Sequence, residues 1–457
     1  MSPLTDFFTD LDPGISGSVQ SDPMGLEVIW TGFAYNLFES RINSITNDFR
    51  SYTINLFHHW IIYRVRAKRD PKWWKPTSRN RFQGGDKAAF SRALLVLLEK
   101  ILLLAFCKTG LSFDDQGLTG LNNARNVYVR AGRAYRYSLD DTPNKDTDIL
   151  ARHAQLGFSG RYRTAFTSKL LLLEKATGHP VENADRWERI QKLFCRFSEF
   201  RDLGDALEAT LVKVLEHGQD EFTAASLEVG LEDLYVKAFG SRARLEKKFA
   251  KFWQDELALH EGTTRWLWES LSRAQPSSEL SPQKLYQNAL EIGERAGDVQ
   301  GTQGIRRICE VEPYLARASR IFDGLLLIEN HTYQQAVEWV VSRYGNYPLL
   351  EVAPPDPQDL VSALDGVGKE RLAILLPLHD LAGSKLVLKL LEYHKFVSDY
   401  RRSIPWVQEE GGFWRQRRLL PAPTDKESEA SQEPWLHPYY GWPFVNLAQA
   451  IRRGASL

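Results

Sequence analysis

Cysteine is scarce in this chain of 457 residues: Cys107, Cys195 and Cys309 stand far apart. An odd, sparse set makes no disulfide framework, and no C-x-x-C pair is present to hold zinc, so a reducing, cytoplasmic setting with buried structural thiols is expected. Net charge is also lacking, with 58 basic residues against 58 acidic ones. No long apolar run is free of charge. The most apolar stretch, Ala88 to Cys107, contains Arg92, Glu99 and Lys100, which makes a membrane span costly and a buried core helix the expectation. Met1 to Pro23 carries Asp6, Asp10, Asp12 and Asp22 and no Lys or Arg, the reverse of a secretory leader. There is no G-x-S-x-G elbow, no complete metal-ligand spacing and no repeat of fixed period. The sequence therefore leans away from an enzyme, and no cofactor or resident metal is expected.

What is present is ordinary globular material rich in aromatics: 43% hydrophobic, 25% charged and 12% aromatic, with 13 Trp. The periodicity is helical almost throughout. Val28 to Arg64 reads as two helices, and Leu94, Leu95, Leu98, Ile101, Leu102 and Ala105 recur at three- and four-residue spacing. From Arg186 to Ala274 two apolar stripes run, Trp187–Ile190–Leu193–Phe194–Phe197–Phe200 and Leu245–Phe249–Phe252–Trp253–Leu257. Ser281-Pro282 and Asp356-Pro357 read as helix starts. Pro405 to Trp414 with Leu419 reads as a small hairpin. The expected fold is mainly α, a multi-domain helical protein with at most a small β-hairpin. Its expected domains are an N-terminal one over 1–170 with a basic-aromatic surface, a helical middle over 171–280, and a C-terminal one over 281–457 ending in an aromatic and basic tail.

Charge is segregated within that neutral total. Arg64, Arg66, Lys68, Arg69, Lys72, Lys75, Arg79, Arg81 and Lys87 face only Asp70 and Asp86 between positions 64 and 87, a net +7, with Trp73, Trp74 and Phe82 among them. Asn122 to Tyr137 adds Arg125, Arg130, Arg133 and Arg136 without an acid, interleaved with Tyr128, Tyr135 and Tyr137. Gly160 to Lys169 adds Arg161, Arg163 and Lys169 with Tyr162 and Phe166. Cations spaced along a segment suit a phosphate chain, whose displaced counterions drive association. Interleaved aromatics suit stacking on bases, and arginine adds two-pronged phosphate contacts that lysine cannot make. The same pattern also fits arginines pairing with the acidic remainder of the chain, or docking an acidic protein.

Weaker signals accompany it. Leu360 to Leu375 contains Gly366-Val367-Gly368 between apolar segments and resembles the helix-hairpin-helix family of sequence-independent DNA binders. In that family such a turn offers backbone N–H groups to a phosphate. The small residue that the family usually has is replaced by Leu372, with Ala373 one place late, and a plain inter-helix turn is the expectation for these residues. Asp140, Asp141, Asp146 and Asp148, with His153, could hold a divalent cation, although Pro143, Asn144 and a capping role for Asp148 give them a structural use. Glu256 and His260 share a helical face but lack a second pair. Of His58 and His59, one is expected in the core and the other in solvent. Trp435, His437, Tyr439, Tyr440 and Trp442 read as a docked tail or an aromatic surface. The opening helical segment, Gly25 to Arg64, is similar to uncharacterised helical proteins of prokaryotic defence gene clusters, which implies antiviral defence as the context and no catalytic residue.

Together these readings describe a non-catalytic nucleic-acid-binding subunit of a larger assembly with protein partners and no membrane association. Arg64 to Arg81 would contact DNA or RNA phosphates, and Arg125 to Arg136, Arg161 and Arg163 would extend the surface. The rivals are a protein–protein scaffold or adaptor, and a metal-dependent nuclease or phosphohydrolase using the Asp140 to Asp148 carboxylates.

Overall fold

The structure, a computed structural model, describes residues 22–44, 46, 49–67, 87–108, 118, 120–131, 135–139, 149–150, 153, 157–217, 221–223, 227, 230–274, 280–326, 332–344, 356–411, 413–416 and 435–455. Among them the fold is mainly α, with seventeen α-helices. In chain order they are α1 (Glu27–Phe38), α2 (Phe49–Ala67), α3 (Lys87–Lys108), α4 (Leu121–Ala131), α5 (Phe158–Thr164), α6 (Ala184–Cys195), α7 (Ser198–His217), α8 (Leu231–Phe239), α9 (Arg242–Leu257) and α10 (Arg265–Arg273). Then follow α11 (Pro282–Arg295), α12 (Val299–Leu325), α13 (Tyr333–Tyr344), α14 (Pro357–Ser362), α15 (Gly366–Leu375), α16 (Gly383–Tyr400) and α17 (Gly441–Ala455). Strands are few: β1 (Arg136–Ser138) pairs antiparallel with β2 (Glu221–Thr223), and β3 (Val407–Glu410) with β4 (Phe413–Gln416). The β3–β4 hairpin is the one expected near 405–414. No described helix is long and apolar enough to cross a membrane.

The chain forms two compact units, each drawn from two stretches. Unit 1 takes Met1–Leu37 and Ser272–Tyr439, and unit 2 takes Phe38–Leu271 and Tyr440–Leu457. The expected polar linker at 276–283 falls a few residues after the 271/272 boundary. Position 170/171, expected to divide two domains, lies inside unit 2, where α6, α7 and α9 all pack on α2.

In unit 2, α2 is the central helix: α3, α5, α6, α7, α9 and α17 surround it. Every residue from Phe49 to Ile62 is buried. A helix enclosed on all sides has no polar face to offer water, so Arg50, Ser51, Thr53, Asn55, His58 and His59 go inside with the apolar residues. Aromatics fill the surrounding space, with Phe57 against Phe194, Phe200 and Phe239 at centroid distances of 5.0, 5.9 and 5.4 Å. Trp187, Phe194, Phe200, Leu245, Phe249 and Trp253 of the two expected stripes are buried. Arg41, 1% exposed, ties the unit's first turn to its later loop by donating to the carbonyls of Ala258 (3.1 Å) and Glu261 (3.2 Å).

In unit 1, α12 packs on α11, α13 and α16, and α14 pairs with α15. The expected helix starts hold: Ser281 accepts from the Lys284 amide at 3.2 Å and Asp356 from the Asp359 amide at 2.9 Å, each followed by proline. Each such cap contributes about 1 kcal/mol. The Trp435–Tyr439 segment is docked rather than free. Glu312, buried on α12, accepts from the Leu436 amide (2.5 Å), the His437 amide (2.8 Å), the Tyr439 hydroxyl (2.6 Å) and Trp30 Nε1 (2.8 Å). Burial raises the Glu312 pKa while these donors hold it down. His437 stacks on Trp30 with centroids 5.0 Å apart.

Candidate nucleic-acid interface

Arg64 and Arg66 sit in the last turns of α2, and both meet carboxylates of their own unit. Arg64 Nη2 lies 2.7 Å from Asp205 Oδ1 and 2.5 Å from Glu208 Oε2, and its guanidinium lies 4.8 Å from the centroid of the Trp60 ring. Asp205 and Glu208, three apart, share one face of α7. Gly204 opens the space, since a Cβ there would stand 2.9 Å from Arg64 Nη1 and 3.0 Å from the Trp60 ring. With its side chain 16% exposed, Arg64 is committed to packing α2 against α7.

Arg66 pairs with Glu182, and Lys87 Nζ reaches the same Oε1 at 3.6 Å. Arg66 is the penultimate residue of one described stretch and Lys87 begins the next. Two residues flanking the interval 68–86 thus share a single carboxylate. Lys68, Arg69, Lys72, Trp73, Trp74, Lys75, Arg79 and Arg81 belong to that interval and lie outside the described residues, as does Arg133.

The other basic residues are spread. Arg125 Nη1 donates to Asn122 Oδ1 at 3.3 Å and Arg130 Nε to the Asn126 carbonyl at 3.2 Å. Arg130 is exposed on α4, a helix without an acid, beside Val129, which is 85% exposed. Arg136 Nη1 lies 3.5 Å from Glu221 Oε2 across the β1–β2 ladder. Arg163 Nη2 donates to the carbonyls of Lys175 (2.9 Å) and Ala176 (3.1 Å), while Arg161 is half-buried and its carbonyl accepts from Asn43 Nδ2 at 2.7 Å. Lys87 starts α3, whereas Arg125 acts on the Cys107 thiol at its other end. Twenty residues of helix span about 30 Å. Lys87 and Arg125 thus stand near opposite ends of α3.

Sequence reading missed the polar cluster behind Glu182. His58 and His59 are both buried, against the expectation that one would be solvated, because α2 is enclosed on every side. His58 Nε2 lies 3.1 Å from the Tyr235 hydroxyl. Neither ring nitrogen of His59 has a hydrogen-bond partner among the described residues. His179 Nδ1 lies 2.5 Å from Ser91 Oγ, the Lys87 backbone also bonds the ring, and Nε2 has no partner among the described residues. His153 Nε2 lies 3.2 Å from Glu99 Oε2. Burial pushes the His58 and His59 pKa values down to about 3; burial and then the Arg66 cation push His179 down to about 4. All three are neutral imidazoles at neutral pH. The only sequence trace of the cluster was polar residues inside apolar runs: the His58-His59 pair, Ser91, Glu99 and Lys100.

The other candidates resolve variously. Asp140, Asp141, Asp146 and Asp148 lie outside the described residues. Among the described residues no group of three or more His, Cys, Asp or Glu side chains could hold a metal ion. Glu256 pairs with Arg186 at 3.2 Å and His260 with Glu261 at 3.2 Å. Gly366, with φ of 53°, turns α14 into α15, and Gly368 fits against α1, where a Cβ would stand 3.0 Å from the Val28 carbonyl. Comparison with family models, curated proteins and solved structures finds no match to the chain.

Proposed function

We propose that this protein is a non-catalytic nucleic-acid-binding subunit of a larger assembly, acting through the basic segment tethered at Glu182. The supporting observation is the meeting of Arg66 and Lys87 on one carboxylate. The two ends of the basic stretch thus meet at one place on unit 2, and the nineteen residues from 68 to 86 carry six cations, two acids and two tryptophans in sequence. Arg64 and Arg66 anchor this segment, and phosphate contact falls to Lys68, Arg69, Lys72, Lys75, Arg79 and Arg81, with Trp73 and Trp74 stacking on bases. The resemblance to defence-cluster proteins expected for Gly25 to Arg64 would place the protein in antiviral defence.

The adaptor reading draws support from Arg130 and the exposed Val129 on α4, which suit an acidic, apolar partner peptide. A gel-shift titration at low salt with labelled single- and double-stranded DNA and RNA separates the two. Retention of nucleic acid that is lost on replacing Lys72, Lys75, Arg79 and Arg81 together by alanine supports the first reading. No retention by the wild type removes it.

A further inference from the structure

The Glu182 junction has more structure than a simple tie between two chain ends. Three elements meet there: the end of α2 with Arg66, the first turns of α3 with Lys87 and Ser91, and the loop before α6 with His179 and Glu182. One carboxylate oxygen is shared by two cations, yet its side chain is 67% exposed and free to turn outward. Behind it, two buried polar atoms have no hydrogen-bond partner among the described residues, Arg66 Nη1 and His179 Nε2. His179 is 0% exposed and held by Ser91. The Lys87 backbone also hydrogen-bonds the His179 imidazole, so Lys87, Ser91 and His179 are held together at the start of α3. Polar atoms left unpartnered among the described residues, beside two cations at the first turn of a 22-residue helix, are the ingredients of an anion site.

We propose that Arg66, Lys87 and His179, the last held in place by Ser91, bind a phosphate monoester, with the Glu182 carboxylate occupying its place until the ligand arrives. Charge favours a monoester over a backbone diester. Two cations face the single negative charge of Glu182, so a dianion balances them and a diester does not. Glu174, also near His179, adds a negative charge that limits how much further anion the junction tolerates. Binding is by hydrogen bonds and ion pairs only; no bond is made or broken. The site deepens the nucleic-acid reading and rests on it for the source of the phosphate, a terminal phosphate of a polynucleotide.

Titration calorimetry of the full chain with inorganic phosphate, and with one oligonucleotide bearing a 5′-phosphate, a 3′-phosphate or hydroxyls at both ends, tests it. Glu182→Gln should tighten phosphate and phosphorylated-end binding about tenfold, and Lys87→Ala should weaken them about tenfold, the size of one charge-assisted contact. Lys87, 43% exposed, can be replaced without loss of fold where Arg66 cannot. Equal binding of phosphorylated and hydroxyl-ended oligonucleotides, unchanged by Glu182→Gln and Lys87→Ala, overturns the site and leaves the nucleic-acid reading standing. Phosphate binding that follows these variants, with no oligonucleotide bound in any form, supports the site and removes the nucleic-acid reading. Glu182→Gln that lowers thermal stability without changing phosphate affinity shows a structural tie alone and overturns the site.

Discussion

The two units treat their buried polar side chains differently. In unit 1, Glu312 accepts four hydrogen bonds. His394 there uses both nitrogens, with Nδ1 2.8 Å from the Pro23 carbonyl and Nε2 accepting from the Trp406 amide at 2.8 Å. Arg371 donates to the Gly25 carbonyl at 2.8 Å, while its Nε and the Tyr393 hydroxyl are among the atoms of this unit with no hydrogen-bond partner among the described residues. In unit 2, the central helix carries His59 and Asn55 with no hydrogen-bond partner for either side chain among the described residues, and the same holds for Ser51 Oγ. A saturated buried group is a fastening between segments. An unsaturated one costs about 1–3 kcal/mol that folding alone does not return, which directs attention to unit 2 and the Glu182 junction as the place for a ligand.

The contrast can be broken by substitution. The largest effect is expected at Glu312: Glu312→Ala strands four donors, and urea unfolding should show a loss of about 3–5 kcal/mol. Arg64→Glu in unit 2 puts a third acid beside Asp205 and Glu208 and should cost about 3 kcal/mol. A variant that keeps its stability while losing nucleic acid would instead show that Arg64 faces a phosphate. Acidification comes next. Below about 6.5 the unfolded chain protonates its histidines, whereas folded His58 and His59 resist to about 3 and His179 to about 4. The unfolded state then binds more protons, so stability falls as pH drops from about 6.5 toward 4, by about 1.4 kcal/mol per pH unit for each such histidine. Asp323 in unit 1, raised to about 6 by burial, works in the opposite direction, favouring the fold as pH falls through 6. The smallest effect is expected at His59. His59→Leu should change stability by less than about 1 kcal/mol, while His394→Leu, which abandons two partners, should cost about 2 kcal/mol. Equal losses at the two sites would erase the distinction between the units.

Much of the architecture could be read locally. Ser281, Asp356 and the stripes around Trp187 and Trp253 act within a few residues of themselves, where periodicity and capping chemistry leave a trace. Docking of the Trp435–Tyr439 segment was legible as density of aromatics, but its anchor, Glu312, was not, since one glutamate inside a helix looks like any other. The basic residues show the same limit. Arg64 meets Asp205 and Glu208 more than a hundred positions away, and only their three-residue spacing hinted at a shared face. His58 and His59 were misjudged because a fully enclosed helix has no solvent side, a property of its six neighbours rather than of its own pattern. The interleaving of α1, α11–α16 with α2–α10 and α17 between the units follows from long-range packing and leaves no mark in composition.

The most direct measurement is the salt dependence of nucleic-acid affinity, by fluorescence anisotropy across a chloride series, for the wild type and for the chain with Lys72, Lys75, Arg79 and Arg81 replaced by alanine. If the segment tethered at Glu182 carries the binding, log Kd for single strands rises with log salt, and removing four cations flattens the slope by about 3. A wild-type affinity indifferent to salt, or a slope that survives the four substitutions unchanged, contradicts it.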